Sequence, residues 1–307
     1  VTDLAPEPGP VVVDVSVVLP VFNEAGHVVD EIKRIRAGLE RSAHRFEIIV
    51  VDDGSTDGSA DQVATQPDVR LIRFRRNRGT GTARRAGTEA ARGDIVVWTD
   101  ADMTYPNEDI ARLVDALDGW DQVVGARTSE HGTARALRVP AKWFMRRLAS
   151  HLTETPIPDL NSGFRAFRRS VGEQFLHLLP AGFSCVSTMT LAFLSNGYGV
   201  RHVPIAYADR SGRSKFRWWS DSRRYLTQVI RMIMTFNPLR VFMPLGLLLG
   251  GAGTAKLAYD LVDHPYRVAT DTLLVLFAAL QVVVVGLLAD LVVRLSRPRH
   301  QVEAAGR

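Results

Sequence analysis

The chain has 307 residues, a formal net charge of +5 and 46% hydrophobic residues, which is enough for one large domain or two smaller ones. Its single cysteine, Cys185, excludes an internal disulfide framework and gives no zinc site by spacing; it reads as a small buried residue. A basic balance is compatible with nucleic acid, but the arginines gather at 210–240 and 294–299, flanking apolar spans, and this favours an anionic membrane surface and no nucleic acid.

Residues 1–14 read as a flexible, Pro-rich lead without the apolar core of a signal peptide, so the part ahead of the spans is expected to stay on the cytoplasmic side. Val15–Val21 reads as a strand that runs into Pro20-Val-Phe-Asn23-Glu24. From Glu24 to about Arg41, Val28, Ile32, Ile35 and Leu39 recur at helical spacing. Phe46–Val51 is a second buried strand, followed by Asp52-Asp53-Gly54-Ser55. Arg70–Phe74 reads as a short strand, Gly79–Arg92 as a helix, Asp94–Thr99 as a strand, Glu108–Leu117 as a helix and Gln122–Gly125 as a strand. Strands alternating with helices predict an α/β layer with a mostly parallel sheet. Beyond Gly125 the pattern loosens: Thr128–Arg138 is a polar loop, Val139–Leu152 a basic helix, and Phe164–Phe167 and Val203–Tyr207 are strand candidates.

Residues 213–237 mix aromatic side chains such as Trp218, Trp219 and Tyr225 with arginines, as a helix in the headgroup layer does. Leu239 to about Ala258 and Thr272 to about Val293 are apolar stretches long enough to cross a hydrocarbon core of about 30 Å. The short loop between them makes residues 238–295 a transmembrane hairpin. Arg231, Arg240, Arg294, Arg297 and Arg299 lie outside the spans, and the loop carries Asp260, Asp263 and Asp271, so both ends are expected in the cytoplasm. Lys256 and Asp290 are close enough to span ends to snorkel. Residues 296–307 form a basic tail.

The chemistry gathers at strand ends. Asp100 and Asp102 follow an apolar, β-branched run and, at i and i+2 on extended backbone, project the same way. In an open α/β sheet, ligands bind outside the carboxyl ends of the strands. Two hard oxygen donors there suit Mg²⁺ or Mn²⁺ that also holds substrate phosphates. Asn23-Glu24 and Asp52-Asp53 end neighbouring strands, where carboxylates accept hydrogen bonds from nucleobase and ribose. Gly79-Thr-Gly81 begins like a dinucleotide fingerprint but lacks the third glycine and follows the third strand; it reads as a turn near a nucleotide, with Arg84 and Arg85 on the helix beyond. Arg127 and Arg138 are candidates for a bidentate diphosphate clamp. Asp159, within Asp-Leu-Asn-Ser-Gly-Phe-Arg, is placed to take a proton or to orient an acceptor. Arg210, Ser214 and Lys215 precede the interface helix and are placed to hold a phosphate at the bilayer.

Pro20-Val-Phe-Asn-Glu, Asp52-Asp-Gly-Ser-Thr-Asp, Asp100-Ala101-Asp102, Asp159-x-x-Ser-Gly-Phe-Arg and Arg210-x-Gly-x-Ser-Lys, in this order, resemble the family 2 glycosyltransferases of GT-A fold, more narrowly the polyprenyl-phosphate glycosyltransferases. The resemblance covers about Val15 to Lys215 and implies a Rossmann-like GT-A catalytic domain over residues 15–212, ahead of the interface helix and the hairpin. It implies a nucleotide-sugar donor (a GDP- or UDP-hexose), Mg²⁺ or Mn²⁺, and a polyprenyl-phosphate acceptor at the cytoplasmic membrane. Pro20, Asn23, Glu24, Asp52, Asp53, Gly79, Ala101 and Arg127 would form the donor site. Asp100 and Asp102 would meet metal and diphosphate, Asp159 would serve catalysis, and Arg138, Arg210, Ser214 and Lys215 would meet acceptor phosphate. One position departs from the family: where members often carry a metal-ligating Gln, this chain has Thr104, so either Thr104 ligates the metal more weakly or water fills that place. Two other readings stay open. One is extension of a lipid-linked glycan, against which the single hairpin argues; the other is a non-catalytic, membrane-anchored nucleotide-sugar-binding protein. A homo-oligomer built through the hairpin is likewise open.

Overall fold

Four apolar runs in the first half of the chain become the middle of a sheet because each is buried on both faces, as strands covered by helices are. The computed structural model describes residues 13–128, 147, 150, 155–182, 184–208, 234, 237–264 and 268–295. It divides into two compact units, Val1–Lys215 and Phe216–Arg307.

In the first unit the order is β1 (Val15–Val21), α1 (Val28–Glu40), β2 (Phe46–Asp52), α2 (Ser59–Ala64), β3 (Val69–Arg73), α3 (Thr80–Glu89) and β4 (Ile95–Trp98). A 3₁₀ turn (Asn107–Asp109), α4 (Ile110–Asp115), β5 (Gln122–Arg127), β6 (Arg165–Arg168) and α5 (Arg169–Gly172) follow. After a second 3₁₀ stretch (Glu173–Leu178) come α6 (Cys185–Ser195) and β7 (Val200–Ile205). The strands form one sheet in the order β3-β2-β1-β4-β6-β5-β7. Pairing is parallel except on both sides of β6, which runs against β4 and β5. The carboxyl ends of β1, β2, β4 and β5 therefore share one edge with the segment entering β6. The chain order reverses beside β1, which opens a crevice at that edge.

The helix expected from Glu24 begins at Val28, because Asn23 takes a left-handed φ of 57° and residues 24–27 form a turn. Its apolar face (Val28, Ile32, Ile35, Leu39) is buried against β1, β2 and the acidic loop. Burial of such side chains stabilises by roughly 1.5–3 kcal/mol each. On the other face of the sheet, Trp98 packs edge-on to Phe167 with centroids 5.2 Å apart, and Phe193 continues the stack.

The glycines of Gly79-Thr-Gly81 serve packing. Gly79 has φ 93°, and Gly81 donates its N–H to the Ala181 carbonyl at 2.7 Å. A Cβ on Gly81 would run into the Pro180 carbonyl oxygen, a backbone atom with nowhere to go. Gly81→Ala is expected to cost about 1–3 kcal/mol, the range for overpacking. The check is a lower thermal midpoint, with no gain of function at any nucleotide concentration.

In the second unit α7 (Leu239–Asp263) and α8 (Thr270–Leu295) are long and apolar enough to cross a membrane, at roughly 38 Å each. They pack through small residues: Gly246 against Val283, Gly253 against Leu276 and Gly286 against Phe242. Lys256, expected to snorkel, instead joins the helices, 3.4 Å from Asp260, 3.1 Å from Asp271 and 3.0 Å from the Thr272 hydroxyl. The interface helix expected at 213–237 and the basic tail at 296–307 lie, apart from Met234 and Asn237, outside the described residues.

Candidate active site

The loop after β4 carries the acidic pair. Asp100 and Asp102 are both partly exposed, and Ala101 between them is buried. Met103 has φ 61°, a strained value for an unbranched side chain that persists only where neighbours fix it. Those neighbours come from α1. Glu31 is buried and accepts from Asn107 Nδ2 at 2.5 Å; Asn107 in turn accepts from the Thr99 hydroxyl at 2.5 Å and reaches the Asp100 carbonyl at 3.4 Å. Arg34 bonds Glu31 at 3.0 Å, Glu108 at 2.5 Å and the Tyr105 carbonyl at 3.0 Å. Burial pushes the Glu31 carboxyl above its usual range, against the lowering effect of Asn107 and Arg34. The signal for this brace was in the sequence: Glu31 is a charge on the buried stripe of α1.

Thr104, weighed as a metal ligand, is buried. Its hydroxyl donates to Asp102 Oδ1 at 2.5 Å, so it holds the carboxylate in place. On the other carboxylate, Arg84 Nη2 stands 2.6 Å from Asp100 Oδ1. Arg84 is buried, and the half-buried Arg85 donates to the Leu179 carbonyl.

At the β1 and β2 ends the acidic motifs divide in role. Asn23 is tied to the loop after β2: its N–H donates to Ser55 Oγ at 3.0 Å and its Oδ1 accepts from Thr56 N at 2.9 Å. Glu24 N donates to Ser59 Oγ at 2.9 Å. Asp52 accepts from Ser55 N at 3.2 Å. Asp53 was expected to face the donor, but both of its oxygens are committed to the turn before α3, accepting from Arg78 N at 2.7 Å and Gly79 N at 2.8 Å. Pro20 lies within β1, in register with Val51.

Arg127, at the end of β5, is likewise not a free clamp. Its Nε and Nη2 lie 2.6 and 2.9 Å from the two oxygens of Asp159, a bidentate pair that is mostly buried. Burial raises the Asp159 pKa, but the Arg127 fork and its charge more than offset this and hold the carboxyl below its usual range. The Arg127 guanidinium lies over Tyr207 at 5.2 Å, Tyr207 meets Tyr105 edge-on at 5.3 Å, and the Tyr105 hydroxyl accepts from Gly163 N at 2.7 Å. This aromatic wall links the Asp159 segment to the acidic loop. Burial raises the Tyr105 pKa, so it stays protonated. Arg138, Arg210, Ser214 and Lys215 lie outside the described residues.

Among the described residues there is no group of three or more His, Cys, Asp or Glu that holds a metal unaided. Two aspartates one residue apart fit a hard divalent cation that completes its shell with diphosphate oxygens and water.

Comparison with known proteins agrees with this architecture. Residues 16–176, more than half of the chain, match Glycosyl transferase family 2, and residues 237–295 match the GtrB C-terminal hairpin. An undecaprenyl-phosphate 4-deoxy-4-formamido-L-arabinose transferase of Pseudomonas aeruginosa is 33% identical, over 94% of this chain and 89% of its own length. The protein of that name in Edwardsiella ictaluri is 31% identical, over 94% and 93%. Among solved structures, glucosyl-3-phosphoglycerate synthase of Mycobacterium tuberculosis, in complex with Mn²⁺, UDP-glucose and phosphoglyceric acid, superposes with a TM-score of 0.58 at 20% identity, over 72% of this chain and 80% of that one. Mannosyl-3-phosphoglycerate synthase of Rubrobacter xylanophilus gives 0.54 at 23% identity, over 72% of each. With its GT-A-like sheet, its braced acidic loop and its membrane hairpin, the chain belongs to the family 2 glycosyltransferases and is a sugar-transferring enzyme.

Proposed function

We propose that this enzyme transfers a sugar from a nucleotide-sugar donor to a polyprenyl phosphate at the cytoplasmic membrane face, using Mg²⁺ or Mn²⁺ and inverting the anomeric centre. The observation that carries the reading is an acidic pair at the crevice edge of the sheet, on a chain that also holds a membrane-crossing hairpin. Relatives named as undecaprenyl-phosphate transferases support it. A GDP- or UDP-hexose is the donor class we propose; the relatives' sugar, 4-deoxy-4-formamido-L-arabinose, belongs in the same test.

The chemistry asks little of the acceptor, since a phosphate monoester with a second pKa near 6 is already a nucleophile at neutral pH. The demanding step is departure of the nucleoside diphosphate. Bound at Asp100 and Asp102, the cation would act as Lewis acid for that leaving group. The remaining work falls to the chain. Asn23, Glu24 and Asp52 line the nucleoside end, Thr104 fixes Asp102, and Asp159 orients Arg127 at the acceptor side. In this proposal Arg138, Arg210, Ser214 and Lys215 meet the acceptor phosphate and draw two anionic substrates together. Asp159, an ion-paired carboxylate, is a poor base at neutral pH, which is why we assign it orientation.

The test uses full-length protein in detergent with undecaprenyl phosphate and labelled donors, including UDP- and GDP-hexoses and UDP-4-deoxy-4-formamido-L-arabinose, with Mg²⁺, Mn²⁺ or EDTA. Lipid-extractable label from one donor, lost with EDTA and released as the free monosaccharide by mild acid that leaves glycosidic bonds intact, is the expected result. Donor binding without label in the lipid phase would overturn it.

A further inference from the structure

Helix α3 brings Arg84 up behind the acidic loop. The residue is 1% exposed, and its Nη2 lies 2.6 Å from Asp100 Oδ1. Its Nη1 lies 3.6 Å from Cys185 Sγ, and the guanidinium sits over the Trp98 ring at 5.5 Å. Gly163 closes the remaining side: a Cβ there would stand 2.7 Å from Arg84 Nη2 and 2.8 Å from Asp100 Oδ2. A ring face, a thiol and a bare glycine thus hold one orientation of the guanidinium, and with it one orientation of the carboxylate. Arg165, also buried, lies over the same Trp98 ring at 5.9 Å but is anchored elsewhere, to the Val186 carbonyl at 2.6 Å and Thr190 Oγ1 at 3.0 Å. Burying a guanidinium is unfavourable unless geometry and hydrogen bonds offset the lost hydration, so an apolar side chain under Trp98 would make the simpler core. The chain instead places a charge where its fixed fork reaches an acid of the site.

We propose that Arg84 is a positioning residue of the donor site: it fixes Asp100 so that Asp100 and Asp102 present a preformed pair to the divalent cation, as Thr104 fixes Asp102. This rests on the cation reading above. Partners that orient ligating carboxylates typically change metal affinity or activity 10–100-fold when altered. A lysine keeps the charge but not the planar fork, and it cannot reproduce the geometry.

The experiment measures Mn²⁺ binding to the full-length protein by electron paramagnetic resonance of the free ion, with UDP or GDP present, beside the thermal midpoint of each variant. Arg84→Lys is expected to weaken Mn²⁺ binding about tenfold and to lower kcat more than it raises donor KM. Gly163→Ala, which wedges Arg84 and Asp100 apart without removing a charge, is expected to move Mn²⁺ binding the same way. Should Arg84→Lys fail to fold, Gly163→Ala decides. Folded variants that bind Mn²⁺ within about twofold of wild type would overturn the positioning role. Wild-type protein that binds no Mn²⁺ with either nucleotide would overturn the cation reading itself, and this inference with it.

Discussion

Asp102→Asn is expected to lower kcat/KM by about a thousandfold, ~4 kcal/mol of lost transition-state stabilisation, with almost no loss of fold stability. The two halves of this expectation have separate causes. Asp102 is partly exposed, and Thr104 can donate to the carbonyl oxygen of Asn as it does to Asp102 Oδ1, at 2.5 Å in the parent. The change is isosteric and falls in the class that moves stability by about 0.5 kcal/mol or less. The neutral amide is a weaker ligand for a hard cation, and it removes a negative charge from a site that must hold that cation against water. Asp100→Asn should also lower activity, but less cleanly: it leaves the buried guanidinium of Arg84 facing a neutral amide, so stability falls with function. Asp102 is therefore the position at which chemistry separates from folding. The measurement is kcat/KM for the donor beside the thermal midpoint. A variant that kept more than a tenth of wild-type activity would remove Asp102 from the reaction.

The sheet was legible because its strands are buried on both faces, and such strands must be short apolar runs. Val15–Val21 was bounded correctly, and β2, β3, β4 and β5 to within two residues. The acidic pair begins two residues beyond the end of β4 and enters a bend, not extended backbone, so the i and i+2 spacing alone does not fix where the two carboxylates point. Helix starts were less legible: α1 begins four residues late because Asn23 adopts a left-handed conformation, a property of the tight turn that no periodicity carries. α6 was missed because nearly all of its faces are buried, so it lacks the polar stripe by which a helix is recognised. In the site, sequence order located the acids but not their hydrogen-bond partners. Asp53 and Asp52 are neighbours with like chemistry, yet Asp53 is spent on two backbone N–H groups some 25 residues ahead. Arg127 and Asp159, read as separate candidates, are partners across 32 residues of chain. Such pairings are long-range, and only the fold brings them together.

That last pair carries the other large effect. Asp159→Asn is expected to destabilise the catalytic unit by about 3 kcal/mol at pH 7, because it strips the charge partner from Arg127 while leaving the guanidinium mostly buried. In a unit of this size that is a fall in the thermal midpoint of about 6–12 °C. The pH dependence follows from the direction of the shift. The folded-state pKa of Asp159 is lowered below 3.8, so the pair's contribution is fully present above the unfolded pKa and is lost as pH falls through the folded value. Wild type should therefore keep this contribution down to about pH 4 and lose it progressively at lower pH, and Asp159→Asn should lose less over the same interval. The damage should reach the acidic loop as well, since Arg127 leans on Tyr207, Tyr207 on Tyr105, and Tyr105 holds Gly163 beside Asp100. Activity per folded molecule should fall through that wall while the pH–rate profile keeps its shape between about pH 6 and 9, because a carboxyl already ionised far below neutrality contributes no limb there. Loss of an acid limb in Asp159→Asn would instead identify Asp159 as the base. Full stability in the variant would mean that the pair with Arg127 adds nothing to the fold.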